Sequence, residues 1–192
     1  MYNGGEGGIV LNVIDSFLSG FKQNSEWVEW KHMSIGKSHC ETCLSLDHCW
    51  FAKKNMPQLP QHAYCHCTTY SLSADTVRDK SVAQAAFSKF NPYLFDVNQE
   101  YGHGKNKLFE AWGFHVEDST YLKKEIEHQA LQKYVAGEYS LGKIDRHGQR
   151  ISIKVTLKRK NQNQAVSFVT GWIVCPSGQI RLTTPLGGKG YV

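Results

Sequence analysis

Gln149-Arg150-Ile151-Ser152-Ile153-Lys154-Val155-Thr156-Leu157-Lys158 is the stretch on which the reading of the fold turns. Ile151, Ile153, Val155 and Leu157 alternate strictly with Arg150, Ser152, Lys154, Thr156 and Lys158. Successive side chains of a strand point to opposite faces, so the pattern specifies a strand with one buried face and one wet, basic face. Turn signals stand on either side at Asp145-Arg146-His147-Gly148 and Asn161-Gln162-Asn163, and again at Pro176-Ser177-Gly178. They divide the C-terminal region into four expected strands, at 139–144, 149–158, 166–174 and 179–184. Connections this short join antiparallel neighbours, so a four-stranded antiparallel meander is expected.

Upstream, Asp118 or Ser119 caps an expected helix at 120–136, with Leu122, Ile126, Ala130 and Tyr134 on one stripe and Gly137 as its stop. That stripe should cover the apolar face of the sheet. A shorter helix is expected around 107–112, stopped by Gly113, and another from Asp75 or Ser81 to residue 90, ended by Pro92. The polar stretch 71–75 reads as a linker. In front of it, residues 26–68 hold Trp27, Trp30 and a cysteine cluster, which suggests a loop-rich segment that needs a staple. Residues 1–8 read as a tail, and Val10, Val13, Phe17 and Phe21 recur at helical spacing behind it. The expected class is α+β, divided into a tail and short helix (1–24), a stapled module (25–70) and a basic domain (75–192).

Charge divides along the same line. Residues 1–118 carry 10 Lys/Arg against 13 Asp/Glu, and residues 119–192 carry 12 against 4, giving about −3 and +8. A basic domain behind an acidic front half favours a polyanionic partner. The apolar run from Ile9 to Phe21 is broken by Asn12, Asp15 and Gly20 and is too short to span a bilayer, and no basic residue precedes it. A cytoplasmic protein without membrane contact is expected.

The cysteines fall into a pattern: Cys40-x2-Cys43, then, after 21 residues, Cys65-x-Cys67, with His62 three positions before Cys65. Two close pairs joined by a loop supply the four thiolates that tetrahedral zinc prefers, so Cys40, Cys43, Cys65 and Cys67 are the expected ligands of a structural Zn2+. His62 could replace one thiolate, and an iron–sulfur or redox pair is the competing reading. Cys49 and Cys175 stand apart, and Cys175 reads as a buried strand residue.

The stretch Trp30-Lys31-His32, His39-Cys40-Glu41-Thr42-Cys43-Leu44-Ser45-Leu46-Asp47, Pro57 and Pro60-Gln61-His62-Ala63-Tyr64-Cys65-His66-Cys67-Thr68-Thr69 resembles the C-terminal signature of phage head-morphogenesis (Mu F-type minor head) proteins. That signature runs Cys-x-x-Cys, a Leu-Asp-Gly step, a Pro, then His-Pro-x-Cys-x-Cys-Thr. Here His48 follows Asp47 in place of Gly, and Ala63 stands in place of Pro. The resemblance implies a minor head or head-morphogenesis-like protein, virion-associated, with phage head proteins as partners. The helix-then-four-strand order of the basic domain resembles, in architecture alone, the barnase/EndoU/colicin/RelE-like ribonuclease toxins. This second resemblance implies a metal-independent ribonuclease with RNA, more than DNA, on the wet face, and an immunity protein as a further partner.

A ribonuclease of this kind needs an acid–base group and cations for the phosphate. His147, between Arg146 and Arg150, is the acid–base candidate, with Arg150, Arg181 and Thr183 completing the catalytic set. Lys143, Arg146, Lys154 and Trp172 are the nucleic-acid-binding candidates, the indole taken to share the polar face with the cations. The alternative is a non-enzymatic virion or assembly protein that binds DNA or a protein partner. His128 falls opposite the apolar stripe of its helix and reads as a surface residue.

Overall fold

The alternating stretch becomes the longest strand of a mixed α+β structure. The computed structural model describes residues 26–33, 40–96 and 104–187; the expected tail at 1–8 and helix behind it lie outside the described residues. Eight strands are found among them: β1 (Trp27–Lys31), β2 (Trp50–Ala52), β3 (Thr68–Leu72), β4 (Val82–Gln84), β5 (Ser140–Asp145), β6 (Gly148–Lys158), β7 (Ala165–Val174) and β8 (Gln179–Thr184). The α-helices there are α1 (Glu41–Ser45), α2 (Ala74–Lys80), α3 (Lys105–Ala111) and α4 (Ser119–Val135).

The larger sheet runs β4-β8-β7-β6-β5. Its last four strands make the expected antiparallel meander, and β4 adds a parallel edge strand on β8, pairing Val82, Ala83 and Gln84 with Gln179, Ile180 and Arg181. The segment 75–90 is therefore not one helix. Ser73 Oγ accepts the Thr76 N–H and starts α2, which ends at Ser81 so that the chain can extend along β8. Nor is 71–75 a linker: Ser71 and Leu72 pair with Val28 and Trp27 inside the small antiparallel sheet β2-β1-β3.

Leu122, Ile126, Ala130 and Tyr134 of α4 are fully buried, the helix packing on β6, whose Ile151, Ile153, Val155 and Leu157 belong to the same apolar cluster, and on β4. Burial of each leucine, isoleucine or valine among them stabilises by roughly 1.5–3 kcal/mol. Gly137, at φ 68, closes the helix as expected. The same apolar cluster continues into the small sheet through Trp27, Trp30, Trp50 and Phe51. Trp27 meets the Tyr134 ring edge-on at 5.2 Å, and the Tyr134 hydroxyl donates to the Trp50 carbonyl at 2.6 Å. The two sheets thus share one core. No helix among the described residues is long and apolar enough to cross a membrane.

Candidate metal centre and basic sheet face

The end of β1 is stitched to the turn that follows α1. The Trp30 carbonyl accepts the His48 N–H and the Trp30 N–H donates to the Cys49 carbonyl, both at 2.8 Å. The Asp47 carboxylate accepts the His32 backbone N–H at 2.8 Å and lies 3.4 Å from Lys31 Nζ. Burial raises the Asp47 pKa, but that N–H, His48 and Lys31 outweigh it and hold the carboxyl below its ordinary range. His48 sits at φ 62, in the left-handed region where glycine is favoured, and its Nδ1 meets Glu29 Oε1 at 2.5 Å. This stitching fixes the ground on which the cysteines stand.

Cys40 caps α1, Cys43 lies on its buried side, and Cys65 and Cys67 come in on the segment before β3. Cys40, Cys43 and His62 form one group of donor atoms mutually within 4.8 Å, and Cys43, Cys65 and Cys67 form a second. Cys43 Sγ is 3.8 Å from Cys65 Sγ and 3.3 Å from His62 Nε2. A tetrahedral zinc with Zn–S bonds of about 2.3 Å separates its sulfurs by roughly 3.8 Å, so the Cys43–Cys65 spacing is an edge of such a tetrahedron. The Cys/His cluster of Cys40, Cys43, His62, Cys65 and Cys67 could therefore hold a metal ion.

Its electrostatics suit a cation. Burial and the neighbouring thiols push the Cys43 thiol well up, because a second or third thiolate would be close to the first. Cys65 runs the other way: burial opposes ionisation, but the backbone N–H groups of Gln61 and Cys67 favour the thiolate and leave its pKa lowered. Two groups that sequence reasoning left out complete the surroundings. His32 Nδ1 is 3.7 Å from Cys67 Sγ, Trp30 is fully buried with its indole N–H unpaired among the described residues, and burial leaves the Cys67 thiol raised. Both lie in the Trp30-Lys31-His32 triplet, and the β1–β3 pairing that carries them to Cys67 was the missing signal.

The open face of the larger sheet carries the second candidate site. Cross-strand partners share a face, and Arg150 pairs with Ile173, which pairs with Arg181. Lys154 pairs with Val169 and Ser152 with Gly171 on the same side. Lys143, Arg150, Ser152, Val169, Gly171, Thr183 and Thr184 line a shallow depression of about 410 Å3. Arg150 lies 3.5 Å from the Asp145 carboxylate. Lys143, Lys154 and Arg181, all exposed, form no ion pair among the described residues.

The expected site residues separate accordingly. Lys143, Arg150, Lys154, Arg181 and Thr183 share the open face, whereas His147 and Arg146 sit in the β5–β6 turn beside Glu41, Leu44 and Ser45 of α1. The structure therefore does not bring His147 into the depression with Arg150 and Thr183. Trp172 is a correction: it pairs with Ile151 and is fully buried, its indole N–H donating to Thr170 Oγ1 at 2.7 Å. The inner face of β7 is Val166, Phe168, Thr170 and Trp172, one residue out of step with the expectation, because Thr170 is hidden by a hydrogen bond to the Ile153 carbonyl at 2.9 Å. Cys175 is half-exposed just beyond β7, while Cys49 is buried and its thiol is pushed up to about 12 by burial.

No curated protein and no solved structure matches the chain. A family model does, over residues 77–186, which run from the second half of α2 through β8 and take in the whole basic face but none of the cysteine cluster. That match spans more than half of the chain, and the protein belongs to the family described as Domain of unknown function (DUF6883).

Proposed function

We propose that the protein is a phage-derived, head-morphogenesis-like chain whose cysteine clip holds a structural zinc ion and whose basic domain holds RNA on the open face of its sheet. The observation that carries the reading is the clustering of Lys143, Arg150, Lys154 and Arg181 on one face, three of them without a carboxylate partner among the described residues. Cations left facing water in this density act on phosphates, and the hydroxyls of Ser152 and Thr183 between them add hydrogen bonds to the same oxygens. Four thiolates in two close pairs favour zinc over harder ions, with Cys40, Cys43, Cys65 and Cys67 as the ligand set and His62 beside it.

His147 lines a different hollow, beside Glu41 and Ser45, from the depression that holds Arg150 and Thr183, and this favours binding over cleavage, because a general base must reach the proton it takes. The decisive experiment titrates the purified chain with labelled single-stranded RNA and double-stranded DNA across salt concentrations and examines the RNA for breaks. RNA binding with a log K against log salt slope of about −0.7 per phosphate contacted, and intact RNA, is expected. Salt-independent binding, or none at low salt, overturns the reading. Chelator-resistant cleavage would instead favour the toxin-like ribonuclease, with an immunity protein as its natural partner.

A further inference from the structure

We propose that Lys89, Lys105, Tyr93 and Thr184 form a phosphate subsite continuous with the basic depression, occupied by a backbone phosphate of bound RNA; this rests on the RNA reading above. The four residues come from separate pieces of chain. Lys89 ends a short turn at Phe87–Lys89, Tyr93 follows it, Lys105 opens α3 and Thr184 ends β8. Lys89 Nζ lies 5.4 Å and Lys105 Nζ 5.3 Å from the centroid of the Tyr93 ring. Lys105 Nζ also donates to Tyr93 Oη at 3.2 Å and to Thr184 Oγ1 at 3.1 Å.

All four side chains are half-buried, and neither lysine forms an ion pair among the described residues. An ammonium withdrawn from water and met only by neutral groups has lost solvation without gaining a counterion, and a second ammonium over the same ring adds repulsion. Cation–π attraction to the Tyr93 ring returns part of this cost, but a neutral ring does not supply the missing counter-charge. An oxyanion does, and to both ammonium groups. Donor capacity agrees: of the three N–H groups of the Lys105 ammonium two are used, and the Lys89 ammonium makes no hydrogen bond among the described residues.

Thr184 joins the cluster to the depression, since it lines that depression while its hydroxyl donates to the Leu186 carbonyl at 2.8 Å and accepts from Lys105. Two ammonium groups gathered at one ring call for an anion, so a phosphate and not a base is the ligand.

The test is fluorescence anisotropy with a labelled single-stranded RNA oligonucleotide on the full chain, comparing wild type, K89Q, K89Q/K105Q, K105R and K107Q across salt. Lys107 is exposed on the same helix and serves as the charge-matched control. The double variant is expected to bind about fivefold more weakly at 0.1 M salt and to lose about 0.7 from the salt slope, the loss of one phosphate contact on a single strand. K105R should retain the wild-type slope. If the double variant fails to fold, K89Q decides, since its ammonium makes no hydrogen bond that folding would miss. Wild-type binding with K89Q and the double variant indistinguishable from K107Q overturns the subsite and leaves the RNA reading standing. Absence of wild-type binding overturns both.

Discussion

Gly178→Ala tests the shared core directly. Gly178, in the turn before β8, has φ 79, and a Cβ there would lie 2.5 Å from Trp50 Cε3, 2.6 Å from Cζ3 and 2.9 Å from Ser81 Oγ. The indole has little room to retreat, being 6% exposed, and its own backbone carbonyl is held by Tyr134. Forcing alanine into the left-handed region costs about 1–2 kcal/mol. Pressing a methyl into a packed ring costs about 1–3 kcal/mol more. The sum is about 2–5 kcal/mol in a chain whose total stability is of the order of 5–15 kcal/mol. Gly104→Ala is the control: its φ is 71, but nothing lies within 4 Å of the added Cβ, so only the backbone cost of about 1–2 kcal/mol applies. Urea unfolding followed by tryptophan fluorescence and by far-ultraviolet circular dichroism measures both variants. Trp27, Trp30 and Trp50 report the small sheet, Trp112 and Trp172 the large one, and a single coincident transition is expected. A Gly178→Ala protein no less stable than Gly104→Ala would refute the contact, and two separate transitions would refute the shared core.

Cys43 belongs to both donor groups, so Cys43→Ala should abolish metal binding, whereas His62→Ala should keep about one zinc per chain with affinity lowered by about 10–100-fold, as elemental analysis and a competing chelator would read. Arg181→Gln, on the open face through the Ile173 partner it shares with Arg150, should weaken RNA binding about fivefold at 0.1 M salt and flatten the salt slope by about 0.7, while His147→Ala, in the separate hollow beside α1, should leave both unchanged. Asp118 is raised by burial but pulled down further by Lys160 at 2.8 Å and by the His115 backbone N–H at 3.0 Å, so its folded pKa lies below the unfolded value of about 3.9. The stability it contributes is present above that unfolded value and is lost as pH falls through the folded one; Asp118→Asn should therefore cost about 1 kcal/mol at pH 7, with the difference vanishing in strong acid by urea titration at each pH.

The strands β5 to β8 and the helix α4 were legible because each is decided locally. A period of two in Ile151–Leu157, a period near 3.6 in Leu122–Tyr134 and glycines at the turns leave little for distant contacts to override. The short edge strand β4 was not legible, since Val82-Ala83-Gln84 has no pattern of its own and is held by pairing with β8, almost 100 residues away in sequence. Trp172 failed for a related reason: β7 is apolar on nearly every residue, so parity comes from its partners and not from its own alternation. The Cys/His cluster that could hold a metal was readable in its spacing, yet the Trp30 and His32 neighbours depend on the β1–β3 register.

The two candidate sites are mechanically linked, and this makes a last prediction. Helix α1 spans only five residues, too few to be stable by itself, so its position depends on what holds its ends. Cys40 and Cys43 tie one end to the cluster, and at the other the single proton of Ser45 Oγ is shared between the Thr42 carbonyl at 2.7 Å and the Asp145 carbonyl at 3.1 Å. Asp145 in turn accepts the His147 N–H at 2.9 Å to shape the β5–β6 turn, and faces Arg150 in the depression. Removing the metal frees α1, removes a donor from Asp145 and loosens the carboxylate that orients Arg150. Chelation should then weaken RNA binding although no metal ligand lines the depression, by about the value of one hydrogen bond, roughly 1 kcal/mol or fivefold. Ser45→Ala in the metal-loaded protein should reproduce most of that loss. Unchanged RNA affinity after chelation of a protein that remains folded would mean that the clip only holds the small sheet together and leaves Arg150 where it is.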